Sequence, residues 1–328
     1  MEAVLLRAHG GPEMLYIGEA ETPKPQAGEV LVRVRATALN RADLLQRRGQ
    51  YPAPKGASEI LGLEMAGDVI ALGDGVSSWA VGDRVYALLP GGGYAQYVTV
   101  PAGMLMPLPS EMTYAEGAAV PEVFLTAYLN LFVLGQLAPD ETVLVHAGAS
   151  GVGTAALQLI RLAGAKALVT AGSELKLERC RSLGAQAGWN YHDGSFVEFV
   201  KEQTNHQGAD IIMDFIGASY FADNLASLGV DGRLLLIGTM GGTKVEEVNL
   251  GMLLARRIHI IGTALRSRSL ATKIELTAAF QAFAGAALAT GEIEPVIDSV
   301  FDWTKVADAH RHMESNQNIG KIVLNIGH

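Results

Sequence analysis

The chain has 328 residues, 25 of them Lys or Arg against 34 Asp or Glu, and the resulting formal charge of −9 disfavours nucleic acid or an anionic membrane as the main partner. At about 150 residues per domain this length suggests two domains, and 49% hydrophobic against 18% charged residues supplies their cores, which excludes general disorder. Cys180 is the only cysteine, which excludes an internal disulfide and a multi-cysteine zinc site and makes a reducing cytoplasm the expected location.

Met1 to Arg7 lacks the basic and long apolar segments of a signal peptide, and polar residues interrupt every apolar stretch before 18 residues, so a soluble protein is expected. Up to about residue 120 the pattern is short β-type runs broken by turn residues, which predicts a mostly antiparallel β domain. Val30–Ala36 alternates, with Arg33 and Arg35 on one face and Val32 and Val34 on the other, as a half-solvated strand does. A Gly82-Asp83 turn precedes a strand to Ala87, and Tyr97–Val100 runs into Pro101.

After Pro121 strand-length apolar runs alternate with helix-length segments, the signature of βαβ units and a doubly wound parallel sheet. Strands are predicted at Thr142–His146, Ala167–Thr170, Ile211–Asp214, Arg233–Ile237 and Ile258–Gly262, with helices at Val152–Leu162 and Leu175–Leu183. The tail holds an Ala-rich helix from Ala271, a short strand near Val296, a helix near Val306–Met313 and the run Lys321–Leu324, which is expected to return to the first domain.

The strand ending at His146 runs into Ala147-Gly148-Ala149-Ser150-Gly151-Val152-Gly153 and then a helix, with Gly148, Ser150 and Gly153 at the three spaced positions of the dinucleotide fingerprint. Gly148 permits the turn, and Gly153 lets helix and strand pack. Ser150 is small enough for a pyrophosphate to reach backbone N–H groups, and its hydroxyl can add a hydrogen bond. Cofactor choice falls on Gly172-Ser173-Glu174-Leu175-Lys176 at the end of the second strand. Ser173 and Lys176, one helical turn apart, can converge on a 2′-phosphate, which favours NADPH; Glu174 is the competing carboxylate that would favour NADH.

These features, with Gly62-Leu63-Glu64-Met65-Ala66-Gly67-Asp68-Val69, make the chain resemble the medium-chain dehydrogenase/reductase superfamily over nearly its whole length. Asn40-Arg41-Ala42-Asp43, Gly49-Gln50-Tyr51-Pro52, Leu89-Pro90-Gly91-Gly92-Gly93 and Asn318-Ile319-Gly320-Lys321 are most similar to the zeta-crystallin-like NADPH:quinone oxidoreductases, on their tumour-suppressor-inducible branch. The resemblance implies a GroES-like catalytic domain over 1–122, a Rossmann domain over 123–268 and a segment 269–328 returning to the catalytic domain. Zinc enzymes of this superfamily carry Cys where Asn40 stands and Gly-His-Glu where Gly62-Leu63-Glu64 stands, so a metal-free protein is expected, acting on an electron-poor acceptor.

By the same resemblance, NADPH lies across the mouth of the parallel sheet, and Asn40 and Tyr51 flank its nicotinamide and the quinone. Tyr51 offers a ring to stack on a flat acceptor and a phenol to hydrogen-bond it. The family also implies cofactor contacts from Thr126, Tyr191, the turn that holds Gly238, Met240 and Gly241, the turn Leu265-Arg266-Ser267 and, from the tail, Asn318 and Lys321. A homodimer is implied through strand Ile258–Gly262. Arg256-Arg257 and Arg266 with Arg268 read as helix-end and surface charges, His310 and His312 as lying on different helix faces, Cys180 as packed, and Glu64 as holding a turn or pairing with an Arg. Two alternatives stand beside quinone reduction: an NADPH-dependent enone or alkenal reductase, and a non-catalytic NADPH-binding protein of crystallin-like or RNA-binding kind.

Overall fold

Alternation of Val with polar residues produces the longest strand of the first half, in which Val30, Val32 and Val34 are fully buried while Arg33 and Arg35 stay half-exposed. The computed structural model describes residues 1–327 and divides into two units, 1–125 with 266 onward, and 126–265. A hairpin of β1 (Glu2–Leu6) and β2 (Leu15–Glu19) opens the first unit. Its main sheet is built on β3 (Glu29–Ala38), followed by helix α1 (Arg41–Arg47), β4 (Glu64–Leu72), β5 (Arg84–Leu88), β6 (Tyr97–Pro101) and β7 (Leu105–Pro107). Successive neighbours β3-β4, β4-β5 and β5-β7 are antiparallel, and β6 pairs β3. Helices α2 (Tyr114–Ala118) and α3 (Pro121–Tyr128) follow; α2 starts on a capping box in which Thr113 accepts from the Glu116 amide.

The second unit alternates β8 (Thr142–Val145), α4 (Gly151–Leu162), β9 (Lys166–Ala171), α5 (Glu174–Ser182), β10 (Ala185–Asn190), α6 (Val197–Gln203), β11 (Ala209–Asp214), α7 (Phe221–Ser227), β12 (Leu228–Leu236), α8 (Leu250–Arg256) and β13 (His259–Gly262). Its six strands are all parallel, in the order β10-β9-β8-β11-β12-β13, so the chain reverses direction of travel at β8. Leu144, Leu168, Ile212 and Leu234 from four adjacent strands pack with Phe196, Val200 and Leu225 into one core. β13 is the sheet edge, and its residues are largely exposed.

Beyond α9 (Leu270–Thr290) the chain completes the first unit with β14 (Ile297–Asp302), α10 (Val306–Glu314) and β15 (Lys321–Asn325). β15 lies antiparallel to β3, with Val323 opposite Ala38, and parallel to β14. The tail strand thus pairs within the sheet of the first unit. Strands β1, β2, β4, β7 and β10 and helices α1, α2, α6, α7 and α8 are additional to the elements read one by one from the sequence. Among the described residues no helix is long and apolar enough to cross a membrane.

Candidate active site

In the second unit the residues singled out for the cofactor sit at the carboxyl ends of neighbouring parallel strands: the Gly148–Gly153 loop after β8, Gly172, Ser173 and Lys176 after β9, Tyr191 after β10, and Gly238, Met240 and Gly241 after β12. Ala147 takes a left-handed conformation (φ 49°) to turn the chain out of the strand. Ser150 is the N-cap of α4, its Oγ accepting from the Gly153 amide at 3.1 Å. Among the described residues the N–H groups of Gly151 and Val152 have no hydrogen-bond partner at the head of this twelve-residue helix. A Cβ at Gly153 would lie 2.5 Å from the Ala147 and Gly148 carbonyl oxygens, so only glycine lets the helix start this close to the loop. Uncommitted amides, a positive helix end and a close backbone approach fit the pyrophosphate of a dinucleotide.

Ser173 is likewise an N-cap, accepting from the Lys176 amide at 3.4 Å. Glu174 pairs with Arg181 at 2.5 Å on the surface of α5. A side chain at Gly172 would collide with the Tyr191 hydroxyl, so the tyrosine ring stands directly over this turn. Thr126 is buried and its carbonyl accepts from Asn130 at 2.8 Å; Leu265 is buried and Ser267 exposed. Beneath the loop, His146 is held by Thr170 (2.9 Å) and Asn224 (2.7 Å), and Asn224 donates to the buried Asp214 (3.0 Å). Burial pushes the His146 imidazole down to about 4, so it is a neutral strut tying three strand ends together.

The first unit holds a buried charge cluster. Lys321, 3% exposed, donates to the Leu39 carbonyl, Asn40 Oδ1 and Glu64 Oε1, each at 2.7 Å. All three ammonium donors are therefore engaged inside the unit, where Lys321 positions Asn40, and it does not reach out from the tail. Asn40 returns a bond from Nδ2 to Glu64 Oε1 (2.8 Å), and Glu64 Oε2 accepts from the Glu122 amide (2.8 Å) in the first turn of α3. Glu64 thus pairs with a lysine rather than an arginine, because β15 brings Lys321 alongside β3 and β4. Asp43 accepts from the Asn40 amide (2.7 Å) and the Gly62 amide (3.0 Å); burial raises its carboxyl to about 6.

Tyr51 and Asn318 complete the first-unit set. Asn318 donates to the Gly320 carbonyl at 2.8 Å. Tyr51 is half-buried under the guanidinium of Arg266, which lies 5.2 Å from the ring centroid. Arg266 is not the surface charge its sequence neighbours suggest: it is 6% exposed, because the Pro90 carbonyl and the Gln46 amide oxygen receive it in the interior. Arg256 and Arg257 behave as expected, the first bonding carbonyls at the end of α7, the second pairing with Asp231 on the surface. His310 is buried while its neighbour His312 meets Asp298 near the surface, and Cys180 is fully buried. Glu122 escaped the sequence reading; burial, and the Glu64 carboxylate beside it, push its acid form up to about 8.

Residues 26–110 match the alcohol dehydrogenase GroES-like domain family and residues 151–281 the zinc-binding dehydrogenase family. The chain is 32% identical to a rat quinone oxidoreductase over 99% of its own length and 97% of that protein. The chain belongs to the medium-chain dehydrogenase/reductase family, on its quinone oxidoreductase-like side. Among solved structures it is similar to an NAD-dependent alcohol dehydrogenase (32% identity, TM-score 0.89, all of both chains). It is similar in the same degree to a mycobacterial protein solved with NADPH (29% identity, TM-score 0.89, 99% of this chain and all of that one). The zinc of the dehydrogenase family name does not fit here: an ammonium, an amide and a carboxylate converge where a metal would need thiolate or imidazole donors. Among the described residues no three His, Cys, Asp or Glu side chains form a ligand set elsewhere.

Proposed function

We propose that this oxidoreductase takes NADPH as its electron source and reduces a quinone. The observation that carries the reading is the Lys321-Asn40-Glu64 cluster, whose donor chemistry offers no Lewis acid, so the acceptor must itself be electron-poor. When bound, the dinucleotide supplies a hydride; the chain supplies alignment and exclusion of competing reactions. Gly151 and Val152 would hold the pyrophosphate with backbone amides, Ser173 and Lys176 the 2′-phosphate, and Tyr191 would cover the adenosine side. The pairing of Glu174 with Arg181 supports NADPH over NADH, since it engages the carboxylate that would otherwise favour a ribose hydroxyl.

Lys321 fixes Asn40, and Arg266 fixes the Tyr51 ring, so both residues present a preset face to a flat acceptor. Reduction of a conjugated enone demands the same arrangement and is the second reading. A homodimer through the exposed edge of β13, in the cytoplasm, completes the proposal. The test is oxidation of NADPH, followed by its near-ultraviolet absorbance, with quinones and short enones, NADH in parallel and a chelator present. Turnover that prefers NADPH and survives the chelator is expected. Tight NADPH binding with no turnover on any acceptor would replace this reading with a non-catalytic one.

A further inference from the structure

Arg266 has five N–H donors and three hydrogen bonds. Nε donates to the Pro90 carbonyl (2.9 Å), and Nη2 donates to the same carbonyl (2.7 Å) and to Gln46 Oε1 (2.8 Å). Nη1 is buried without a partner. The guanidinium is thus clamped along one edge, faced by the Tyr51 ring 5.2 Å from its centre, and left with a buried donor that has no hydrogen-bond partner among the described residues along the other edge. Both oxygens that hold it are neutral. The carboxyl in the same group of charges, Glu122, keeps its proton up to about 8, so at neutral pH it does not compensate the guanidinium. The Lys273 ammonium, which donates to the Arg266 carbonyl at 3.4 Å, adds a second cation. A buried cation with uncommitted donors is costly unless a ligand completes it. A fork held rigid on one side is what a developing oxyanion requires.

We propose that Arg266 holds the oxygen of the electron acceptor: Nη1 donates to the carbonyl oxygen of a quinone or enone and stays with it as that oxygen becomes an anion. The inference rests on the reading of the chain as a reductase of conjugated carbonyls. The reaction adds one hydride, from the reduced nicotinamide, to the acceptor. One C–H bond of the dihydronicotinamide would break, with oxidation of that ring, as one bond to hydrogen forms on the acceptor; the conjugated π pair shifts onto the oxygen, and an enolate or hydroquinone monoanion stands there until a solvent proton completes it. The class of acceptor is therefore one whose reduction places negative charge on an oxygen conjugated with the reduced centre.

An equilibrium experiment tests this without cofactor. 4-Nitrophenol, whose phenolate is yellow, is titrated into the protein near its own pKa, with 4-nitroanisole as the neutral control. The wild type should bind the phenolate at least about tenfold more tightly than the neutral compound, shown by a gain in yellow absorbance. Arg266→Met should abolish that preference, and Arg266→Lys, which keeps the charge but loses the fork, should retain only part of it. In turnover, Arg266→Met should lower kcat/KM by about 10²-fold, mostly in kcat, as removal of an oxyanion donor does. A wild type with no phenolate preference overturns the proposal whether or not the variants fold. So do variants that melt as the wild type does and keep the preference. Wild-type quinone turnover with no phenolate preference would sink this assignment and leave the proposed function standing. Phenolate preference with no turnover would do the reverse.

Discussion

Replacing Lys321 by Met leaves Glu64 fully buried without its cation, together with two oxygens, on Leu39 and Asn40, that lose their donor. Breaking a buried pair from one side costs about 3–5 kcal/mol. The amides of Asn40 and Glu122 still bond the carboxyl, so ~5 kcal/mol is an upper figure. In calorimetry the melting temperature of Lys321→Met should fall by about 7 to 15 °C at pH 7. Adding Glu64→Gln should restore at least half the loss. A deficit below ~1 kcal/mol at pH 7 would refute the ion pair as the organiser of this cluster.

Glu122 has its acid form favoured in the folded state, from an ordinary 4.5 up to about 8, so its contribution to stability is complete below 4.5 and lost as the pH rises to about 8. Glu122→Gln should flatten that part of a melting-temperature profile, and an unchanged slope would contradict the assignment. Lys176→Ala should weaken NADPH about ten- to a hundredfold and leave NADH nearly unchanged in equilibrium titrations, since only the former carries a 2′-phosphate. Tyr51→Phe keeps the ring beneath Arg266 and removes the phenol; turnover reduced about tenfold or more would identify the hydroxyl as a donor to substrate, and unchanged turnover would assign the residue to stacking alone. Ile260→Lys on the exposed β13 edge should convert a dimer to monomer in sedimentation at micromolar concentration, and a wild type that is already monomeric would remove the dimer.

The parallel sheet was legible because its central strands are buried on both faces and read as short unbroken apolar runs, such as Val143–Val145 and Ile211–Met213. β10 was not, since Ala185–Asn190 fully buries only its first residue and its alternating apolar face, Ala185, Ala187 and Trp189, has two small side chains and no β-branched one. Helix α1 was hidden in a motif read for chemistry, although Asn40 and Asp43 form the reciprocal cap that announces a helix start. The phosphate loop is local in sequence and could be read. The Lys321-Glu64 pair could not, because 257 residues separate partners that only the β15-β3-β4 alignment brings together. Arg266 misled for the same reason: its polar neighbours suggest a surface, while the oxygens that bury it come from Gln46 and Pro90.

The strand that completes the first unit has a temporal meaning. Lys321 bonds the carbonyl of Leu39 across 282 residues of chain. At roughly 5–20 residues per second on the ribosome, β3 must wait on the order of 15 to 60 s for β15 to be made. The intervening unit, residues 126–265, is contiguous and emerges whole in that interval. The unit begun first is therefore the last to close, and during synthesis its β3 edge and the buried carboxylate of Glu64 stand open to water and to chaperones. Substitutions in the final strand should consequently reduce the yield of folded protein in cells more than their effect on the finished molecule accounts for.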